Sequence, residues 1–201
     1  MPRVLTQTDV ADFRERLCEA ATRLFDAKGR EGFTMRELAS ELGVSAMTPY
    51  RYFKDKDDIL AAVRARAFNR FAEALESAFE GADAAKEQSA VVFEAYVGFA
   101  FGESAAYRLM FDLSQPDEVD YPELIEAAAR ARKQMTCYVR ALVSDGIVEG
   151  DPELIGHVFW ASLHGCVVLK LAGKLGPGYD FDVVSQETFR VLFEGYRPRN
   201  N

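Results

Sequence analysis

Gly43–Leu60, GVSAMTPYRYFKDKDDIL, reads as a glycine turn, a very short helix and the start of a long helix. Pro49 stands inside the short helix, where it removes one N–H and biases Thr48 away from helical geometry. The flanking residues allow two placements. If Ser45 caps the segment, Pro49 is its fourth residue and the first helical hydrogen bond is lost. If Thr48 caps it, Pro49 takes the favoured first position. Either way the disturbance stays at the start of the segment.

Upstream, Phe13, Leu17, Ala20, Ala21, Leu24 and Phe25 share one stripe of a helix that stops at Lys28-Gly29, a basic last turn before a glycine. Thr34 and Glu37 have capping-box spacing, and Phe33 and Leu38 are placed as a hydrophobic staple, so a second helix starts at Thr34 and ends near Leu42. Downstream, Asp55 caps a helix running to about Glu80, with Asp57 and Asp58 in its first turn. Helical spacing continues over 86–102, 104–113, 122–145, 151–173 and 181–195, and alternating strand patterns are missing. The fold class is therefore all-α. Asp151-Pro152 is a cap followed by a first-position proline, and Gly173–Gly178 is a loop.

The chain has 201 residues and a net charge of −8, unevenly spread. Residues 1–70 hold 13 Lys+Arg against 11 Asp+Glu; the remaining residues hold 11 against 21. The acidic total thus belongs to the larger part and leaves the smaller one free to meet an anion. Cys18, Cys137 and Cys166 are odd in number and far apart, which suits neither a disulfide framework nor a zinc cluster. A reducing cytoplasm is the expected setting. The N-terminus lacks the apolar core of a signal peptide, and the longest near-apolar tract, Val158–Leu169, contains His164, so no membrane association is expected.

Two helices joined by a tight glycine turn, the second carrying Thr, Tyr and Arg, outline a DNA-binding helix-turn-helix. The first helix braces the second, and the second presents side chains to base edges in the major groove. The stretch AATRLFDAKGREGFTMRELASELGVSAMTPYRYFKDKDDIL resembles the N-terminal signature of the TetR family of bacterial transcriptional regulators, at Phe25, Gly29, Thr34, Ala39, Gly43, Val44, Ser45, Tyr50, Phe53 and Lys56. Met47 and Pro49 depart from the commoner pattern, although a branch of the family carries a similar MTPYRYF. WASLHG, Trp160–Gly165, resembles the Trp-His-Gly signature of a C-terminal domain found in that branch.

The resemblance implies a homodimer with a three-helix DNA-binding domain, over 1–54 here, and a ligand-binding, dimerising C-terminal domain over 55–201. It implies that Thr34, Tyr50, Tyr52 and Lys56 contact phosphates while Met47, Thr48 and Arg51 face the bases. Hydroxyls and an ammonium suit phosphate oxygens, and an arginine fork reads guanine. Arg36 and Ser45 complete the expected DNA-facing set. Pro49 either tilts the groove-facing end and puts its ring near base edges, or only punctuates the helix.

In the larger part, Phe68, Phe71, Leu75 and Phe79 form one apolar stripe, Phe93, Val97, Ala100 and Phe101 another, and Leu124, Ala128, Ala131, Met135, Tyr138 and Leu142 a third. They fill a core or enclose a cavity for an apolar or aromatic effector, with Met110, Met135, Tyr138, Trp160 and His164 as candidate lining. His157 and His164 read as structural imidazoles rather than metal ligands, since no thiolate or carboxylate spacing supports a site. No cofactor is expected. Helix 151–173 is apolar nearly all round and, with Phe181, Val184, Phe189, Leu192 and Phe193, offers a two-fold dimer surface; a monomer wrapped by its own helices is the alternative. The leading function is a ligand-responsive repressor on palindromic double-stranded operator DNA. An enzyme lacks any nucleophile–base spacing, phosphate loop or metal cluster to support it, and an interaction module without DNA binding is the third class.

Overall fold

The computed structural model describes residues 6–112 and 118–199, which form helices, turns and connecting segments only. The helices are α1 (Gln7–Lys28), α2 (Met35–Glu41), α3 (Lys56–Glu80), α4 (Ala85–Gly102), α5 (Ser104–Met110), α6 (Pro122–Thr136), α7 (Tyr138–Ser144), α8 (Pro152–Leu171) and α9 (Phe181–Gly195), with single 3-10 turns at Pro49–Arg51 and Glu118–Asp120. The all-α expectation holds. The chain up to Asn69 with Ala105–Ala128 forms one compact unit, and Arg70–Ser104 with the chain from Ala129 forms another.

In the first unit the helix ends follow from local chemistry. Thr6 and Asp9 make a reciprocal capping box at α1, and Thr34 and Glu37 make one at α2, with the Glu37 N–H donating to Thr34 Oγ1 at 3.2 Å and the Thr34 N–H to Glu37 Oε2 at 2.9 Å. The staple residues Phe33 and Leu38 are both fully buried. After α2, Gly43 adopts φ +66°, a left-handed conformation that closes the turn as Val44 N–H reaches the Ala39 carbonyl at 2.9 Å. Asp55 caps α3, accepting from Asp58 N–H at 2.9 Å. Leu17, Phe25, Phe33, Leu38, Phe53, Ile59 and Leu60 form the core between these helices. Burying each such side chain stabilises the unit by about 1.5–3 kcal/mol.

The second unit is built on aromatic contacts. Phe71 meets Tyr96 edge-on at 5.1 Å, and Phe159 lies 5.7 Å from Phe189 and 5.1 Å from Phe193. The expected helix 122–145 is interrupted at Cys137: the Cys137 N–H keeps a helical bond to Lys133, whereas Arg140 N–H reaches back only to Cys137. Thr136 Oγ1 lies 3.4 Å from the Arg132 and Lys133 carbonyls, the kind of side-chain competition that bends helices. Helix α5 stops at Met110, short of the expected 113, a position outside the described residues.

Helix α8 is long and apolar enough to cross a membrane by length and composition, with mean hydropathy 1.5 over an 18-residue window that is 33% buried. The twelve-residue tract singled out in the sequence is thus only part of its apolar length. Leu154, Val168 and Leu169 of α8 and Val183 and Val191 of α9 stay exposed.

Candidate nucleic-acid interface and ligand cavity

The segment between α2 and α3 is shorter than a helix. Thr48 N–H bonds the Ser45 carbonyl at 2.8 Å to make one turn, and Pro49 then opens the 3-10 turn as its first residue. Thr48 occupies the cap position without a side-chain hydrogen bond, and Ser45 Oγ accepts from Met47 N–H at 3.4 Å, so Ser45 supports the preceding turn instead of capping a helix. The Pro49 carbonyl receives both the Tyr52 and the Phe53 N–H at 3.0 Å.

This geometry sorts the expected contacts. Met47 and Tyr50 are 67% and 48% exposed, Arg51 is exposed, and Thr48 is half-buried. Pro49 is buried. Of the two readings of the proline, its burial favours punctuation of the helix over a ring presented near base edges. Tyr52 is half-buried, with its ring 4.9 Å from Phe13. Thr34 is exposed but uses its hydroxyl in the α2 capping box. Arg36 and Arg51 have no ion-pair partner among the described residues.

Lys56, expected to contact phosphate, is also engaged within the chain. Its ammonium donates to the Arg30 carbonyl at 2.8 Å and the Phe33 carbonyl at 3.4 Å, and sits 5.5 Å from the Phe33 ring centroid. An ammonium has three donors, so one stays available for a phosphate. Arg14 went unrecognised in the sequence. It donates to the Tyr52 carbonyl at 2.7 Å and covers Phe53 at 4.3 Å, tying α1 to the end of the 3-10 turn. The signal for it was its position beside Phe13 on the apolar stripe of α1.

The second unit contains a cavity of about 560 Å³ between α4, α7, α8 and α9. Met135, Tyr138 and Trp160 line it, together with Phe93, Tyr96, Phe159, Phe189 and Phe193. Phe189 and Phe193, read from the sequence as dimer surface, point into this cavity. Met110 and His164 are not among the lining residues: Met110 is buried in the first unit, where its carbonyl accepts from Arg64, and His164 is half-buried on α8. Burial holds the His164 imidazole below its ordinary pKa. Burial likewise pushes the Tyr138 phenol upward, so it stays neutral. The cavity's polar lining includes Lys86, Ser89, Ser185, Gln186 and Arg190. Arg190 is paired with both Glu187 and Glu194, whereas Lys86 has no partner among the described residues. The sequence signal for these residues was the aromatic spacing of α4 and α9.

A helix, a glycine turn and a short 3-10 turn that leads into a long helix have the outline of the helix-turn-helix class. The chain matches the bacterial regulatory proteins of the tetR family over residues 17–63 and the tetracyclin repressor-like C-terminal domain over residues 89–194. It belongs to the tetR family of bacterial regulatory proteins. An HTH-type transcriptional regulator of Staphylococcus aureus (strain bovine RF122 / ET3-1) is 43% identical over 63 residues, 31% of this chain and 34% of that protein. The chain thus spans about a third of the length of the curated relatives it matches. Among solved structures, a protein with unknown function from Rhodococcus sp. RHA1 superposes with a TM-score of 0.80 at 26% identity, covering 98% of this chain and 100% of that one. The transcriptional regulator FadR from Bacillus subtilis, in complex with stearoyl-CoA, gives 0.74 at 20% identity, covering 90% and 98%.

Proposed function

We propose that the protein is a DNA-binding transcriptional regulator, a cytoplasmic homodimer that represses from a palindromic operator and is released by a small apolar or aromatic effector. The observation that carries the reading is the exposed trio Met47, Tyr50 and Arg51 on a turn whose backbone is fixed from below by Pro49 and Arg14. Residues 1–54 hold this interface; residues 55–201 serve effector binding and dimerisation. Arg51 and Met47 read base edges, Thr48 assists, and Tyr50, Tyr52, Thr34 and Arg36 approach phosphates, joined by the remaining donor of Lys56.

The aromatic cavity supports an apolar effector, and its volume falls within the range of small-molecule sites. That FadR of like fold was solved with stearoyl-CoA, a molecule with a long apolar chain, adds support. The exposed apolar residues of α8 and α9 support a two-fold interface between copies, which removes that surface from water. The WASLHG stretch supports placing the chain in the branch with a Trp-His-Gly C-terminal domain.

An effector changes DNA affinity only by binding the two head spacings differently, and the coupling is reciprocal. Footprinting of the protein's own upstream DNA locates the operator, and titration of a candidate effector with and without that DNA measures the coupling. Equal effector affinities in the two titrations would remove the ligand-responsive reading. Absence of any footprint would remove DNA binding itself.

A further inference from the structure

A second concavity in the same unit is chemically unlike the aromatic cavity. It encloses about 210 Å³ and is walled by Arg132, Lys133 and Arg140, with Thr136, Glu153 and His157 completing it. Arg132 and Lys133 are neighbours on α6 and Arg140 is on α7, beyond the break at Cys137, so it is the packing of the two helices that brings the three to one groove. Met135 and Tyr138 line the aromatic cavity instead.

Solvated charge is the ordinary fate of surface cations, but this distribution is uneven. Residues 71–201 carry 11 Lys+Arg against 21 Asp+Glu, yet three of those 11 converge here around one carboxylate. Glu153 is already engaged by Arg140. Arg132 and Lys133 are exposed and their side chains make no hydrogen bond or ion pair among the described residues, although Lys133 also lies in the field of Glu76. The His157 Nδ1–H donates to the Glu153 carbonyl oxygen at 2.8 Å, which leaves Nε2 for a ligand, as an acceptor from a protonated phosphate oxygen in the neutral ring and as a donor in the imidazolium. The groove is concave because α8 comes close: a methyl on Gly156 would lie 2.7 Å from the Thr136 Cβ, so only glycine permits this approach.

We propose that this groove is an anion site for a small phosphorylated molecule. Two cations without an ion pair, a third shared with Glu153 and an imidazole nitrogen suit a phosphate that carries both negative charge and a protonated oxygen, with the Arg132 fork taking two of its acceptor oxygens. The site is distinct from the effector cavity and does not depend on the DNA-binding reading. Trp160 lines the cavity and its ring centroid is 6.1 Å from that of His157, which lines the groove.

Trp160 is the only tryptophan in the chain and serves as the reporter. Pyrophosphate is titrated at constant ionic strength while Trp160 emission and heat of binding are followed, with inorganic phosphate and a nucleoside diphosphate as parallel arms. The expected result is a saturable response to pyrophosphate that weakens at least tenfold in the double variant Arg132→Gln/Lys133→Gln and is kept in Lys170→Gln/Lys174→Gln, which removes two exposed cations elsewhere. A stronger response to the nucleoside diphosphate extends the assignment to its base and sugar. A response reproduced by sodium chloride of equal ionic strength, or one unchanged in the groove variant, overturns the proposal. So does competition by random-sequence DNA at lower concentration than pyrophosphate, which would make the groove a polyanion surface instead.

Discussion

The Arg14 guanidinium donates to the Tyr52 carbonyl oxygen at 2.7 Å, and the same group covers the Phe53 ring at 4.3 Å. A half-buried cation on α1 therefore satisfies the backbone where the 3-10 turn ends. Arg14→Ala is expected to lower stability by about 1–3 kcal/mol, since it strands a carbonyl and removes the ring contact. Operator and random DNA should both be bound more weakly with no change in the preferred sequence. Urea unfolding and gel shifts check this; a changed sequence preference would make Arg14 a reading residue.

Arg51 is exposed and uncommitted, so its removal should leave the fold intact. Arg51→Ala is expected to cost about 1–3 kcal/mol on the operator and to relax preference at one base pair per half-site, with random-sequence binding much less affected. Selection from a randomised DNA pool reads this directly, and recovery of the wild-type sequence would sink the assignment.

Because Pro49 is buried, a bulkier replacement tests packing as much as backbone. Pro49→Ala restores the N–H while fitting the space. If the proline aims the turn, pool selection with this variant returns altered bases; if the same bases return, the proline is only punctuation.

Gly156→Ala places a methyl against the side chain of Thr136. Overpacking of this kind typically costs about 1–3 kcal/mol. For a chain of this size that corresponds to roughly 2–4 °C in Tm per kcal/mol. Calorimetry checks it. An unchanged Tm would mean that α8 and the Cys137 break can separate freely.

Burial pushes the Cys18 thiol from 9.0 to about 11. The folded pKa lies above the unfolded one, so the protonated thiol's contribution is complete below about pH 9 and is lost as pH rises through about 11. Native protein at about pH 8 should resist alkylation at Cys18 and react after urea unfolding, as peptide mass spectrometry would detect. Cys18→Ala should show a shallower loss of stability between those two pH values than wild type. Equal slopes would assign the alkaline loss to other groups.

Much of the first unit was legible because its signals are local. Thr34 with Glu37 and Asp55 with Asp58 act within one helical turn, and Gly29 and Gly43 stop helices by backbone conformation alone. The third apolar stripe, Leu124 to Leu142, was also read correctly, and all six of its residues are buried. Periodicity nonetheless carried it across Cys137 as one helix, because no glycine or proline marks the break.

The amino-acid order by itself determined the all-helical class, the capped and glycine-stopped helix ends and the helix-turn-helix outline, since capping, backbone freedom and apolar spacing involve residues no more than a few positions apart. Tertiary structure decided which way the bifunctional residues face. Pro49 is buried, Lys56 reaches carbonyls 26 and 23 positions away, and Arg14 reaches one 38 positions away. Phe189 and Phe193 enclose a cavity with α4, and Met110 lies in another unit from it. Such choices depend on which distant surface arrives to cover a side chain, and helical periodicity specifies a face without specifying its partner.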